Sequence, residues 1–284
     1  MTKVSLGELV SRVDEIPVFS ETVNRILTLL EDPKADAKGV EHEIMKDQGF
    51  TAKVLRLANS AYFGGSRKIH TVSQATVLLG FQAIKSMVLA SSVGKVLVRE
   101  LPGYALEKEE LWRQSQICAI TSRVIAKKVK YSKPDQAYTA GLLHDIGKVI
   151  LDYYLSEQYQ VIQEKMASGK WPFVAIEEEV LGFHHGQVGA KIAEKWRLPE
   201  DLVEAIELHH TPSLAVLNPQ MVSIIHIADG LVMMLGLHLG ADGLAYEFSE
   251  DAMKLLKIDE QMLSEIMSEV VDIISDENAY ISEI

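Results

Sequence analysis

Histidine and carboxylate side chains recur in the second half of the sequence, at the ends of predicted helices. They include His144 with Asp145, the pairs His184–His185 and His209–His210, and Asp229 within an apolar run. Neutral imidazole and ionised carboxylate are ligands for borderline metals such as iron, zinc, nickel or manganese. The set therefore predicts a divalent transition-metal site, whereas any one of these histidines could instead be a capping or hydrogen-bonded residue.

Two further features of this region fit such a site. Lys148 follows His144 and Asp145 within three to four residues, where its ammonium group is placed to meet a phosphate. Asp229 lies among isoleucine and leucine residues, and a buried carboxylate needs a partner, which a metal ion would supply.

The elements that must carry these residues are predicted to be helices. Apolar residues recur three and four positions apart through most of the chain, and strand-like alternation is nearly absent. Ser20 can cap a helix that extends to Leu30, and residues 136–154 and 201–210 each have the pattern of one helix. The predicted fold class is all-α.

Proline and glycine at Leu101–Tyr104 interrupt two long helical patterns and predict a boundary between two lobes. We therefore expect an N-terminal helical lobe at 1–103 and a second lobe at 104–240 that carries the metal site. A helical tail is expected at 241–284.

Composition limits the possible function classes. Of the 284 residues, 48% are hydrophobic and 24% are charged, which is typical of a packed globular protein. The net charge of −12 argues against general electrostatic binding to nucleic acid or anionic lipid. The single cysteine, Cys118, excludes an internal disulfide, and no segment approaches the ~18 apolar residues of a membrane span. We expect a cytoplasmic protein without membrane association.

The order of the candidate ligands resembles the HD phosphohydrolase superfamily. That order is His-Asp, then a histidine with glycine four residues later (His185 and Gly189), then His-His, then Asp. The resemblance implies an HD-type helical core in the second lobe and a two-metal site bridged by Asp145. The implied metal ligands are His144, Asp145, His185, His209, His210 and Asp229, and the implied catalytic residues are Asp145 and Lys148.

Segments of the first lobe narrow the resemblance to the HDOD family. The segment Asn59–Phe63 is the most specific of them, and the resemblance covers roughly residues 12 to 235. The other similar segments are Ile16–Pro17, Asp47–Gln48, Leu55–Ala58 and Val77–Gly80.

Two departures from the superfamily pattern bear on activity. Gln114 stands where an earlier histidine would complete the first metal site, and an amide oxygen is a poor substitute for imidazole. Thr211–Ser213 follow His210 where the HD-GYP enzymes have Gly-Tyr-Pro. We therefore expect one tightly held ion rather than two.

Two functions follow as hypotheses. The first is a cytoplasmic signal-transduction module that acts through protein contacts and retains a partly degenerate metal site for structure or ligand sensing. The second is a metal-dependent phosphohydrolase or phosphodiesterase acting on a nucleotide or a related phosphate ester. The expected partners are signalling proteins or a small phosphate-bearing ligand.

Overall fold

The computed structural model describes most of the chain between Phe19 and Ile281. The residues outside the description are 1–18, 61–62, 65–67, 159–160, 163, 166–171, 237–247 and 282–284, and the side chains of 153–157 and 276–281. Two of the HDOD-like segments, Ile16–Pro17 and part of Asn59–Phe63, therefore lie outside the described residues.

The described residues are almost entirely helical and contain no β-strand, which confirms the predicted fold class. One isolated bridge joins Leu101 to Leu106. The helices before it are α1 (Glu21–Glu31), α2 (Ala37–Ile44), α3 (Gln48–Ala58), α4 (Val72–Leu79) and α5 (Phe81–Leu97). Those after it are α6 (Glu110–Lys128), α7 (Pro134–Leu143), α8 (Lys148–Glu157), α9 (Phe173–Leu181), α10 (His185–Lys195), α11 (Glu200–Leu208), α12 (Pro219–Met234), α13 (Glu250–Leu256) and α14 (Glu260–Ile281). Short 3₁₀ turns lie at Pro102–Tyr104 and Pro212–Leu214.

Side-chain caps explain where several of the early helices begin. The Ser20 hydroxyl accepts a hydrogen bond from the Val23 amide, as the sequence predicts. Asp36, Asp47 and Thr71 cap α2, α3 and α4 in the same way. Each cap satisfies one amide that the first helical turn leaves without a partner in the helix.

Asn59, in the most family-specific segment, has a structural role. Its side chain accepts a hydrogen bond from the Ile69 amide at 2.8 Å and donates to the Ile69 carbonyl at 2.7 Å. The same amide group donates to the Leu55 carbonyl at 2.9 Å. Asn59 thus ends α3 and ties it to the segment that precedes α4.

The single helix predicted over residues 136–154 is wrong, because the structure ends α7 at Leu143 and begins α8 at Lys148. The intervening turn packs directly against the start of α10. A Cβ atom on Gly147 would lie 1.9 Å from the His185 carbonyl oxygen. The helical periodicity continues through this segment, so it did not reveal a break that tertiary packing imposes.

The contacts divide the chain into two compact units. Among the described residues, one unit runs from Val96 to Met267, and the other comprises residues 19–95 together with those from Ser268 onward. The predicted domain limits of 1–103, 104–240 and 241–284 remain a prediction. No helix among the described residues is both long enough and apolar enough to cross a membrane.

Helix α6 forms the centre of the larger unit and packs against α7 and α12. Gly141 on α7 permits close contact, because a Cβ there would lie 2.4 Å from the Ser122 hydroxyl and 2.9 Å from the Cys118 carbonyl. Helix α10 packs against α11. These contacts bring the ends of α7, α10 and α11 to the middle of α12, where the candidate ligands lie.

Candidate metal centre

His144 occupies the C-terminal end of α7 with its ring held in one orientation. Its Nδ1 lies 2.8 Å from the Gly141 carbonyl oxygen, which can only accept, so Nδ1 donates. Its Nε2 then faces the interior, 3.3 Å from Asp229 Oδ1 and 3.3 Å from Asp145 Oδ2. The sequence prediction that the buried Asp229 carboxylate needs a partner is therefore met by His144.

Three further histidines direct Nε2 toward one point. His185 Nε2 lies 3.3 Å from His209 Nε2 and 2.9 Å from His210 Nε2. His209 Nδ1 lies 2.8 Å from the Ile206 carbonyl oxygen and donates to it. The last turn of α11 therefore orients His209 as the last turn of α7 orients His144.

These distances fit a metal ion. Nitrogen ligands 2.0–2.1 Å from one ion lie about 2.9 Å apart at a right angle and about 3.4 Å apart at the tetrahedral angle. The ligand atoms form two groups, within each of which they lie within 4.8 Å of one another. One group is His185, His209 and His210, and the other is His144, His209 and Asp229. His209 belongs to both, so the two groups adjoin.

Asp145 joins these groups to Lys148. Its Oδ1 lies 3.2 Å from His185 Nε2 and 3.9 Å from His209 Nε2. Its Oδ2 accepts a hydrogen bond from Lys148 Nζ at 2.6 Å. Lys148 is only 1% exposed, so its ammonium pairs with Asp145 inside the protein. The predicted meeting of Lys148 with a phosphate remains a prediction.

The carboxylates hold two of the histidines in the protonated state. Burial opposes protonation of His185, but Glu177 and Asp145 outweigh it and raise its pKa to about 9. Burial likewise opposes protonation of His144, yet the Asp145 carboxylate raises the pKa of His144 well above its usual value. The pKa of Asp145 falls well below its usual range because His144 and Lys148 outweigh the effect of burial.

The environment of the other two histidines favours their neutral form. Burial, with the charges of His144 and His185, lowers the pKa of His209 well below its usual value. Burial, with His209 and His185, does the same for His210. Without a metal, the cluster thus balances its carboxylates with protons on His144 and His185, and a bound metal would displace those protons.

The sequence reasoning missed Glu177 on α9. This carboxylate is fully buried and accepts hydrogen bonds from His185 Nδ1 at 2.7 Å and from the His185 amide at 3.1 Å. Its other oxygen accepts a hydrogen bond from the Tyr104 hydroxyl. The helical period offered a signal, because Glu177 follows the buried residues Phe173 and Ile176 on one face of α9.

His226 contacts the centre through the backbone. Its Nδ1 donates to the His209 carbonyl at 2.8 Å, and its Nε2 accepts from the Ser249 amide at 2.9 Å. His226 thus holds the backbone of the candidate ligand His209. Gln114 is buried on α6, and its effect on the first metal site remains a prediction.

A comparison with known families identifies the family of the chain. The family model of the HDOD domain matches residues 16–212. The chain belongs to the HDOD family. A curated relative, an "Uncharacterized protein" of Treponema pallidum (strain Nichols), is 26% identical over 209 residues, or 72% of this HDOD chain. The aligned part is 39% of that relative, so the chain spans about two-fifths of its length.

Solved structures share the fold of this HDOD chain. A "Putative signal transduction protein" of Marinobacter aquaeolei VT8 is 21% identical with a TM-score of 0.75, over 97% of this chain and 64% of that one. A "Putative phosphohydrolase" of Shewanella amazonensis SB2B is 25% identical with a TM-score of 0.66, over 92% of this chain and 97% of that one.

Proposed function

We propose that this HDOD protein is a regulatory signal-transduction module that binds a divalent transition metal and acts through protein contacts. The burial of the centre carries this proposal. His144, Asp145, Lys148, His185, His209 and Asp229 are each at most 2% exposed, and the candidate ligand His210 is partly buried. A hydrolase must bring its substrate to these groups, whereas a regulatory metal centre needs only the ion to reach them.

Iron, manganese, nickel and zinc all suit ligands of this kind. When bound, the ion would hold the ligands together, and its positive charge could polarise a phosphate ester. The chain's own residues come from separate elements: the turn after α7, the start of α10, the end of α11 and the middle of α12. Because one ion would be bound by residues from all of these elements, metal binding would stabilise their packing against one another.

The alternative is hydrolysis of a phosphate ester. It is favoured by the convergence of Asp145, Lys148 and the histidines, and by the similarity to the Shewanella protein described as a phosphohydrolase. The pairing of Lys148 with Asp145 weighs against it, because that ammonium is not presented to a ligand. The Marinobacter protein, which shares the fold, is described as a signal transduction protein.

Metal analysis and a turnover screen separate the two functions. Protein purified without added metal is expected to contain iron, manganese, nickel or zinc, and Asp145→Asn is expected to lose most of it. The metal-loaded protein is then tested on generic phosphodiesters, nucleotides and cyclic dinucleotides. Asp201→Asn serves as control. Asp201 lies outside the metal centre, and its carboxylate is 3.6 Å from Lys133 Nζ. Turnover that Asp145→Asn abolishes and Asp201→Asn preserves would overturn the regulatory proposal in favour of hydrolysis.

A further inference from the structure

Tyr104 lies in a short segment that enters the metal-binding unit, and this segment is here called the connector (Leu101–Leu106). The connector follows the unit limit between Lys95 and Val96 by a few residues. Leu101 and Leu106 exchange backbone hydrogen bonds at 2.9 and 3.1 Å, and the Tyr104 amide donates to the Leu101 carbonyl at 3.0 Å. The backbone of the connector is therefore a closed loop with Tyr104 inside it.

The connector is anchored to the metal centre by a chain of hydrogen bonds. The fully buried Tyr104 hydroxyl donates to one oxygen of the fully buried Glu177 carboxylate. The other oxygen of Glu177 accepts from Nδ1 of His185, whose Nε2 faces His209 and His210. Only one side chain, that of Glu177, thus lies between Tyr104 of the connector and the candidate ligand His185.

Two further contacts hold the same loop. The Gly103 amide donates to Asp152 on α8 at 2.7 Å, and Lys148 Nζ lies 5.6 Å from the centre of the Tyr104 ring. Since Lys148 also binds Asp145, the connector reaches both a histidine and a carboxylate of the centre. These contacts all lie within one compact unit.

We propose that Glu177 and Tyr104 are positioning residues that hold His185 for metal binding and couple the connector to metal occupancy. Glu177 fixes the His185 tautomer with Nε2 available to the ion, and Tyr104 fixes Glu177. A carboxylate that orients a ligating histidine in this way raises its basicity, and its loss typically lowers metal affinity about 10- to 100-fold. The inference rests on the proposed function, because it requires that the centre binds a metal. It adds a route by which a bound ion affects a segment outside its ligand set.

The affinity test uses zinc alone with the full chain and the variants Glu177→Gln and Tyr104→Phe. Glu177→Gln is expected to bind zinc about 10- to 100-fold more weakly. Tyr104→Phe is expected to weaken binding less, because the Glu177 carboxylate remains. Glu204→Gln is the matched control: Glu204 is also a buried carboxylate but accepts the amides of residues 216–218, so it should lower stability without changing zinc affinity. The absorption spectrum of the cobalt-loaded protein should change in Glu177→Gln and stay the same in Glu204→Gln.

Hydrogen exchange tests the coupling. If the connector opens only after the metal is released, hydrogen exchange of its amides should slow by about 100-fold in the wild type at a zinc concentration 100 times the dissociation constant. In Tyr104→Phe, at the same degree of saturation, zinc should slow exchange at the Leu101 and Leu106 amides much less. Unchanged zinc affinity in Glu177→Gln would overturn the inference, as would zinc binding that leaves connector exchange unchanged in the wild type. If the wild type binds no metal, the proposed function itself fails, which is a different result from either of these.

Discussion

Lys148 and Asp145, three residues apart at the turn between α7 and α8, form a buried ion pair with Nζ and Oδ2 2.6 Å apart. Both side chains are 2% exposed, so little solvent screens them. Removal of one partner from such a pair leaves an uncompensated buried charge. Each charge therefore needs the other in the metal-free centre, and a metal bound by Asp145 must share that carboxylate with Lys148.

Lys148→Met is expected to lower the free energy of unfolding of the metal-free protein by at most about 3–5 kcal/mol, because Asp145 then loses its shortest ion pair and keeps only His144 and His185 beside it. The loss should be smaller with zinc present, since the ion can take over the compensation. Denaturant unfolding with and without zinc checks both expectations.

Lys191→Met is the matched control for that experiment. Lys191 pairs with Glu194 at 2.8 Å on the surface, and exposed pairs of this kind contribute about 0–1 kcal/mol. If Lys148→Met lowered the free energy of unfolding equally with and without zinc, the ion would not be bound by Asp145.

The affinity for zinc is expected to rise with pH. The pKa of His185 is raised to about 9 by carboxylates that overcome the effect of burial, so below pH 9 the metal-free protein carries a proton that zinc must displace. Each displaced proton makes the apparent affinity rise about tenfold per pH unit, and the part due to His185 should level off above pH 9. Competition titrations between pH 6 and 9.5 measure this slope. An affinity independent of pH across that range would contradict a protonated His185 in the metal-free protein.

Gly147→Ala is expected to destabilise the protein by about 1–3 kcal/mol or more, because the new Cβ would lie 1.9 Å from the His185 carbonyl oxygen. The shift needed to relieve this clash moves the backbone of a candidate ligand, so zinc affinity should fall as well. Thermal unfolding and zinc titration provide the two measurements.

Gly49→Ala serves as the comparison. A Cβ on Gly49 would lie 3.4 Å from the Asp47 carboxylate, an ordinary contact, and alanine is favoured over glycine within a helix. Stability should therefore be maintained or slightly increased. If Gly147→Ala behaved like Gly49→Ala, the close packing of the turn on α10 would be refuted.

The sequence predicts the helices well because they depend on local signals, and it names most of the side chains that the structure brings together. Apolar spacing and the Ser20 cap predict α1, and histidines at helix ends predict most of the centre. The turn at His144–Gly147 was not predicted, since its cause is contact with His185, which lies far away in the sequence. Glu177 was missed because its neighbours Glu178 and Glu179 suggest a solvent-exposed acidic run, which hid the signal of its helical spacing from Phe173 and Ile176.

The number of bound ions is expected to be limited by Gln114, which is buried on α6 where the HD pattern has a histidine. A neutral amide oxygen is a weak ligand for transition metals, so metal analysis of the wild type should give about one tightly held ion per chain. Gln114→His should raise the content toward two ions by supplying an imidazole.

Gln116→His is the matched control, because Gln116 is also buried on α6 but accepts a hydrogen bond from the Tyr138 hydroxyl at 3.0 Å. It should leave the metal content at the wild-type level. Two full ions in the wild type, measured by elemental analysis and anomalous scattering, would show that Gln114 does not weaken the first site.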